Sequence, residues 1–269
     1  MKPILVVGDA MHDVYHLGAA DRLSAECPIP VVKIKMTLTS PGGAANVAKN
    51  LEAMGEGVRT VFGFNRPTKN RLVVGDRQIA RWDTEDWCEP PQAGVLGALL
   101  KSCRAVVVSD YRKGSITAGV VEQIAQAGLP TFVDTKGDPS CWLGKATVVF
   151  PNEKEYAEYQ KVYEQFRLVV LKRGQNGMEL RGNWNGRSEL WFSAAAEAKQ
   201  VRSVNGAGDT VLAAFVSEHL RNGCSETVAN RAWRFAAAAA AAAVERPYTA
   251  VVERQVVEER LGRAGRVAA

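Results

Sequence analysis

The sequence predicts an α/β fold, with a mainly parallel sheet and helices on both of its faces. Two observations carry that expectation. From residue 93 onward, short β-branched runs alternate with helical patterns. Glycines, carboxylates and an asparagine also recur just past the ends of the apolar runs, where ligands bind in sheets of this kind. The chain has 269 residues, enough for one large domain with a substantial core.

The elements follow in order. Ile4-Leu-Val-Val-Gly8 reads as a buried strand, and residues 30–38 as an extended, partly alternating one. Pro41-Gly42-Gly43 is expected to break the chain before a small-residue helix from Ala44 to Met54, which Gly55 stops. Val58 to Phe62 reads as a strand. Residues 72–74 and 78–82 read as a hairpin around Gly75-Asp76. Helix 93–102, strand 104–109, helix 116–127 and strand 130–134 come next, then strand 146–150, helix 152–163 and strand 167–171. Short strands are expected near 178–181 and 189–192, then a helix from 208 closed by Gly223. A further helix beginning near Glu226 runs through the alanines of 236–243, whose small side chains suit close packing.

Composition narrows the function classes. Hydrophobic residues make up 46% and charged residues 23%, as in ordinary soluble proteins. The longest apolar run, Phe235 to Val244, is too short to span a bilayer, and the N-terminal run is too short for a signal segment. No membrane partner is expected. Cys27, Cys88, Cys103, Cys141 and Cys224 are scattered without a C-x-x-C pair, which fits a reducing cytoplasm and neither a disulfide framework nor a zinc site. The net charge of +5 is modest, and Arg254, Arg260, Arg263 and Arg266 contribute much of it. Nucleic-acid binding rests on that charge alone and is not expected. His12 and His16 share no carboxylate pattern that would suggest a metal site.

Ser203-Val-Asn-Gly206-Ala207-Gly208-Asp209-Thr210 is the most informative stretch. A glycine loop at a helix start aims free N–H groups at an anion. Asp209 adds a carboxylate beside that anion, a design for phosphoryl transfer to a hydroxyl. An ordinary loop-to-helix turn is the competing reading. Asp13, past the first strand, can accept from sugar hydroxyls, or sit in a solvated turn. Gly42 and Gly43 permit close approach to a ligand, and Asn46 offers donors and an acceptor; a helix N-terminus packed through small residues is the alternative.

The Gly-Gly-Ala-Ala-Asn and Asn-Gly-Ala-Gly-Asp-Thr elements together resemble the two signatures of the ribokinase-like, phosphofructokinase-B type sugar kinases. Within them, "ILVVGDAMHDVYHLG", "DRLSAECPIPVVKI", "PGGAANVAKNLEAMG" and "VVVSDYRKGSI" are similar to the D-glycero-β-D-manno-heptose 7-phosphate kinases. "VDTKGD" and "PNEKEY" stand where that family has Asp-Pro-Lys-Gly and Asn-x-x-Glu. The resemblance spans nearly the whole chain.

It implies one domain over residues 1–269, a three-layer α/β/α sandwich with a small β-lid from about 14–38 and 71–82. It implies ATP and Mg²⁺ as cofactors and a small sugar phosphate as substrate, phosphorylated at its anomeric hydroxyl, with a homodimer formed through the lid. Asp209 would be the general base, ionised at neutral pH, and the N–H groups of Gly206, Ala207, Gly208 and Asp209 the anion hole. Asp13, Gly42, Gly43, Asn46 and Asp134 would hold the sugar. Lys113 and Lys136 would hold its phosphate or counter developing charge, with Arg22 a further phosphate candidate. Lys172, Gly174, Gly177 and Asn152 would lie by the nucleotide. Asn152 and Glu155 would organise Mg²⁺ through water.

The chain also departs from the family pattern. Only residues 63–70 bridge the strand at 58–62 and the lid, where the family has a further helix and strand. A βαβ unit takes about 30 residues, so the sheet should be shortened by about one such unit. An asparagine usual on the adenine side is replaced near Ala236, and no His-x-Gly-His element of the nucleotidyltransferase domain of bifunctional relatives occurs. A kinase for a ribose- or fructose-like sugar, and a catalytically weak sugar- or nucleotide-binding protein, are the competing functions.

Overall fold

The computed structural model describes residues 1–85, 87–184, 187–194, 198–221 and 226–267. The chain opens with β1 (Ile4–Gly8), β2 (Ala10–Leu23) and β3 (Pro30–Gly43), then α1 (Ala44–Ala53) and β4 (Val58–Phe62). It continues with β5 (Thr68–Val74), β6 (Arg77–Thr84), α2 (Ala93–Ser102), β7 (Ala105–Asp110), α3 (Ala118–Gln126) and β8 (Thr131–Thr135). β9 (Val148–Val149), α4 (Glu153–Glu158), α5 (Gln160–Tyr163) and β10 (Leu168–Lys172) follow. Last come β11 (Met178–Trp184), β12 (Arg187–Ala194), α6 (Ala207–Arg221), α7 (Glu226–Val244) and α8 (Arg254–Val267).

Two sheets result. The larger has eight strands in the order β12-β11-β10-β9-β8-β7-β1-β4. Its β4 to β10 portion is parallel, and β11 and β12 add an antiparallel edge. Alternate residues of each parallel strand point to opposite faces, and both faces are covered. Ile4, Val6, Val107 and Phe132 pack with Leu51 of α1 and Leu212 and Phe215 of α6. Leu5, Val7, Val106 and Val133 pack with Leu96, Leu100, Val121 and Ile124 of α2 and α3. The alanine run serves packing: Ala236, Ala239, Ala242 and Ala243 are buried in the first of these cores.

The smaller sheet, β3-β2-β5-β6, is the lid. It extends further than the expected segments. β2 starts at Ala10, one residue after β1 ends, and β3 runs into α1 with no intervening loop. Pro41-Gly42-Gly43 is therefore the end of a strand and not a break, and residues 10–13 are strand and not a turn. The edge strand β4 leads to β5 across residues 63–67 alone.

Other differences are local. Helix 152–163 divides at Tyr159, whose φ of −120° ends α4. The expected strand at 146–150 retains only two paired residues. Gly223 and Cys224 lie outside the described residues. His219 is core: it is 3% exposed, stacks on Phe215 and meets Phe132 edge-on, and burial pulls its pKa down so that it stays neutral. No helix among the described residues is long and apolar enough to cross a membrane.

Phe215 is fully buried and meets Phe150 edge-on at 5.3 Å. Phe215→Ala is expected to cost about 3–5 kcal/mol through lost burial and the cavity left behind, measured by urea unfolding.

Candidate active site

The site gathers at the C-terminal ends of β1, β7, β8 and β10, under the lid. Gly206 has φ +75°, and a Cβ there would lie 2.7 Å from Asn46 Nδ2 and 2.9 Å from Thr249. Only glycine fits that approach. Thr210 N–H donates to the Gly206 carbonyl at 2.9 Å and begins the ladder of α6. The Ala207 N–H leans on the Val204 carbonyl at 3.4 Å, so it is partly occupied, contrary to expectation. The N–H groups of Gly208 and Asp209 belong to the first helical turn, where intrahelical acceptors are lacking.

Asp209 is 5% exposed, and both of its carboxylate oxygens are held. Asn46 Nδ2 donates to Oδ2 at 2.9 Å, and Tyr111 Oη donates to Oδ1 at 3.0 Å. Asn50 fixes Asn46 by donating to its Oδ1 at 3.1 Å. Asn46 is thus held by Asn50 through its Oδ1 and holds Asp209 through its Nδ2. Burial pushes the Asp209 pKa up to about 6, against the lowering pull of the Asn46 hydrogen bond. Desolvation outweighs the hydrogen bonds that favour the charged form. It remains ionised at neutral pH, close to the value that suits a general base.

A charged network adjoins it. Asp134, 4% exposed, pairs with Lys136 at 3.0 Å and, closely, with Lys172. Lys136 also reaches Glu155 at 3.0 Å. Burial raises the Asp134 pKa, but the two ammonium groups outweigh it and hold the carboxyl below its usual range. Burial pulls Lys172 below its ordinary value, partly offset by Asp134. A Cβ on Gly208 would lie 3.7 Å from Lys172 Nζ, so this cation borders the α6 turn. Asp134 therefore stands as the counter-ion of both lysines.

Asn152 and Glu155 form a reciprocal capping box at the start of α4. Asn152 N–H and Nδ2 donate to Glu155 at 2.8 and 2.6 Å, and Glu155 N–H returns to Asn152 Oδ1 at 2.9 Å. With Lys136 added, both Glu155 oxygens are engaged. Such a pair suits a hydrated Mg²⁺ held through water, since Mg²⁺ keeps several of its waters. Among the described residues no three His, Cys, Asp or Glu side chains gather as a direct metal site.

A second group centres on Asp13, 7% exposed. Arg71 pairs with its Oδ1 at 2.6 Å, and Thr249 donates to its Oδ2 at 3.1 Å. Tyr15 and Asn205 extend that chain of hydrogen bonds. A Cβ on Gly42 would lie 2.7 Å from Asp13, and one on Gly43 would lie 2.4 Å from the Asp9 carbonyl. The glycines thus let β3 close on its own neighbours, not on open space. Thr249 touches both Asp13 and Gly206, joining the two groups.

The remaining candidates lie apart. Lys113 turns to Glu85 at 2.7 Å, outside the network. Arg22 is exposed near the far end of β2. Gly174 and Gly177 shape the tight turn between β10 and β11. His16 is spread between Thr37 and Asn70 and stacks on Trp82, holding lid strands together. Tyr111, Arg71 and Thr249 were not singled out from the sequence. Tyr111 alone had a signal, inside the quoted Ser-Asp-Tyr-Arg-Lys-Gly element.

Residues 64–254 match the pfkB family carbohydrate kinase profile. The bifunctional protein HldE of Vibrio parahaemolyticus is 30% identical over 259 residues, covering 78% of this chain and 54% of that protein. The HldE of Methylobacillus flagellatus is 33% identical over 267 residues, again covering 78% and 54%. The chain thus spans about half the length of these curated relatives. Among solved structures, Arabidopsis thaliana ribokinase complexed with ribose and ATP superposes with a TM-score of 0.74 at 22% identity, covering 97% of this chain and 98% of that one. Escherichia coli phosphofructokinase-2 in complex with substrates and products gives 0.74 at 16%, covering 98% and 100%. At such identities the likeness shows a shared ribokinase-like fold.

Turnover that depends on Asp209 as a base requires its ionised form. kcat/KM should therefore rise with pH through about 6 and be lost below it. Tyr111→Phe removes a donor that favours the carboxylate, so this limb should move to higher pH. A pH–rate profile of the variant that overlays the wild type would exclude the coupling.

Proposed function

The chain belongs to the pfkB family of carbohydrate kinases, and we propose that it phosphorylates the anomeric hydroxyl of D-glycero-D-manno-heptose 7-phosphate with ATP and Mg²⁺. The observation that carries the chemistry is the ionisable Asp209 at the mouth of α6, with Asn46 and Tyr111 on its two oxygens. The choice of sugar rests on the heptose-kinase resemblance of four sequence stretches and on the relatives named HldE.

In this reading the acceptor hydroxyl takes the place of Tyr111 at Asp209 Oδ1. Its proton passes to that oxygen as the hydroxyl oxygen attacks the terminal phosphorus in line, and the bond from that phosphorus to the bridging oxygen breaks, releasing ADP. The Gly208 and Asp209 N–H groups and the Lys172 ammonium face the charge that spreads over the transferring group. Such positioning and charge stabilisation supply most of the catalysis in phosphoryl transfer. Bound Mg²⁺, held through water by Asn152 and Glu155, would supply neutralisation of the phosphate charge. Asp13, paired with Arg71, and Thr249 would receive the sugar hydroxyls. Closing the lid would exclude water from the site.

A second copy of the chain is proposed to cover the lid. Ile34, Met36 and Trp82 are 48%, 55% and 47% exposed on its strands. Sedimentation should show a dimer that Ile34→Asp weakens; a wild type that sediments as a monomer at micromolar concentration excludes it.

Asp209→Asn should lower kcat by about 10²–10⁴-fold while leaving ATP binding and the unfolding midpoint in place. A fully active variant would mean that the base lies elsewhere. ATP consumption with heptose 7-phosphate, ribose, fructose and fructose 6-phosphate, with product identification, tests the sugar. Turnover confined to ribose or fructose would replace the heptose assignment by another sugar of the same family.

A further inference from the structure

Lys69 differs from the other cations described around the site. Lys136 and Lys172 are neutralised by Asp134 and Glu155, Arg71 by Asp13, and Lys113 by Glu85. Lys69 stands on β5 directly opposite Asp13 of β2 in parallel register. Paired residues share a face of the sheet, so Lys69 lies on the side of the lid that carries Asp13, Tyr15 and Arg71. Its partner across the other edge of β5 is Asp83 of β6, and Arg81 takes both Asp83 oxygens at 2.9 and 2.5 Å.

The Lys69 ammonium instead lies over the ring of Tyr111, 5.0 Å from its centroid, and Tyr111 reaches the base. Among the described residues no carboxylate pairs with it. The side chain is half-buried, and burial draws its pKa below the ordinary lysine value, with Asp13 and Asp209 acting against that shift. A partly desolvated ammonium without a counter-ion, one aromatic ring from the base, gains most from an anion that arrives with the acceptor.

We infer that Lys69 is a specificity-determining residue that receives the phosphate already carried by the sugar, so that sugar phosphates are selected over free sugars. This rests on the sugar-phosphate kinase reading above, and it replaces Lys113, Lys136 and Arg22 as the phosphate ligand. Because Lys69 belongs to the lid and Asp209 to the main layer, one phosphorylated substrate would hold the two together.

Two measurements test it, with Lys69→Met and Lys69→Arg compared to wild type at equal unfolding midpoints. The ratio of kcat/KM for heptose 7-phosphate to that for the dephosphorylated heptose should fall at least tenfold in Lys69→Met and recover largely in Lys69→Arg. In parallel, inorganic phosphate titrated with a non-hydrolysable ATP analogue present should raise the Tm of wild type and not that of Lys69→Met. An unchanged ratio, or a phosphate-induced Tm shift that survives in Lys69→Met or is absent from the wild type, overturns the role of Lys69. If wild type turns over no sugar phosphate yet loses its phosphate shift on Lys69→Met, the anion site stands and the substrate reading falls.

Discussion

One buried carboxylate organises the rest of this site. Asp9 is fully buried between the end of β1 and the start of β2, and it accepts three backbone N–H groups from the loop after β7. Tyr111 donates at 2.8 Å, Lys113 at 3.1 Å and Ser115 at 3.1 Å. Its own carbonyl takes the Ala44 N–H at the first turn of α1, and its N–H donates to the Ser109 carbonyl of β7. Asp9 thereby joins the first strand, the loop that carries Tyr111 and the helix that carries Asn46. The two donors on Asp209 come from those last two elements.

The Asp134, Lys136, Lys172 and Glu155 network has a different character. Burying ion pairs costs desolvation that their mutual attraction only partly offsets, so such a network is weak evidence for stability. Its value is placement. Four charges converge from β8, β10 and α4, and fixing them leaves one ammonium, Lys172, at the edge of the α6 turn. The field there is set before any anion arrives, which spares the reorganisation that makes charge stabilisation in water inefficient.

Much of the fold was legible because it depends on local pattern. Continuous apolar runs such as Val106-Val107-Val108 mark parallel strands buried on both faces, and the Gly-Ala-Gly-Asp turn declares a helix start. The lid was read too short because β2 mixes polar and apolar residues, and its partners β3 and β5 lie well along the chain. Tyr111, Arg71 and Thr249 escaped for a related reason. Tyr111 meets Asp209 across 98 positions, and Thr249 meets Asp13 across 236. No spacing rule connects residues so distant. Asn46 was found, but its bonds to Asp209 and Asn50 were not foreseen: its residue type announces hydrogen bonding, while only the tertiary fold decides what receives the bond. The upward shift of Asp209 was likewise hidden, since burial is a property of everything packed around it.

The lid meets the body through almost no slack chain. Asp9 is the single residue between β1 and β2, and β3 passes into α1 without a spacer. A lid of this kind invites description as a removable cover on a separate body. Here the junction residue of the cover is also the anchor of the loop beneath it. A chimera that exchanges lids at this seam would exchange part of the catalytic scaffold with them. The workable boundary for recombination lies outside residues 9 and 44, and a graft has to include the Tyr111 loop as its third piece.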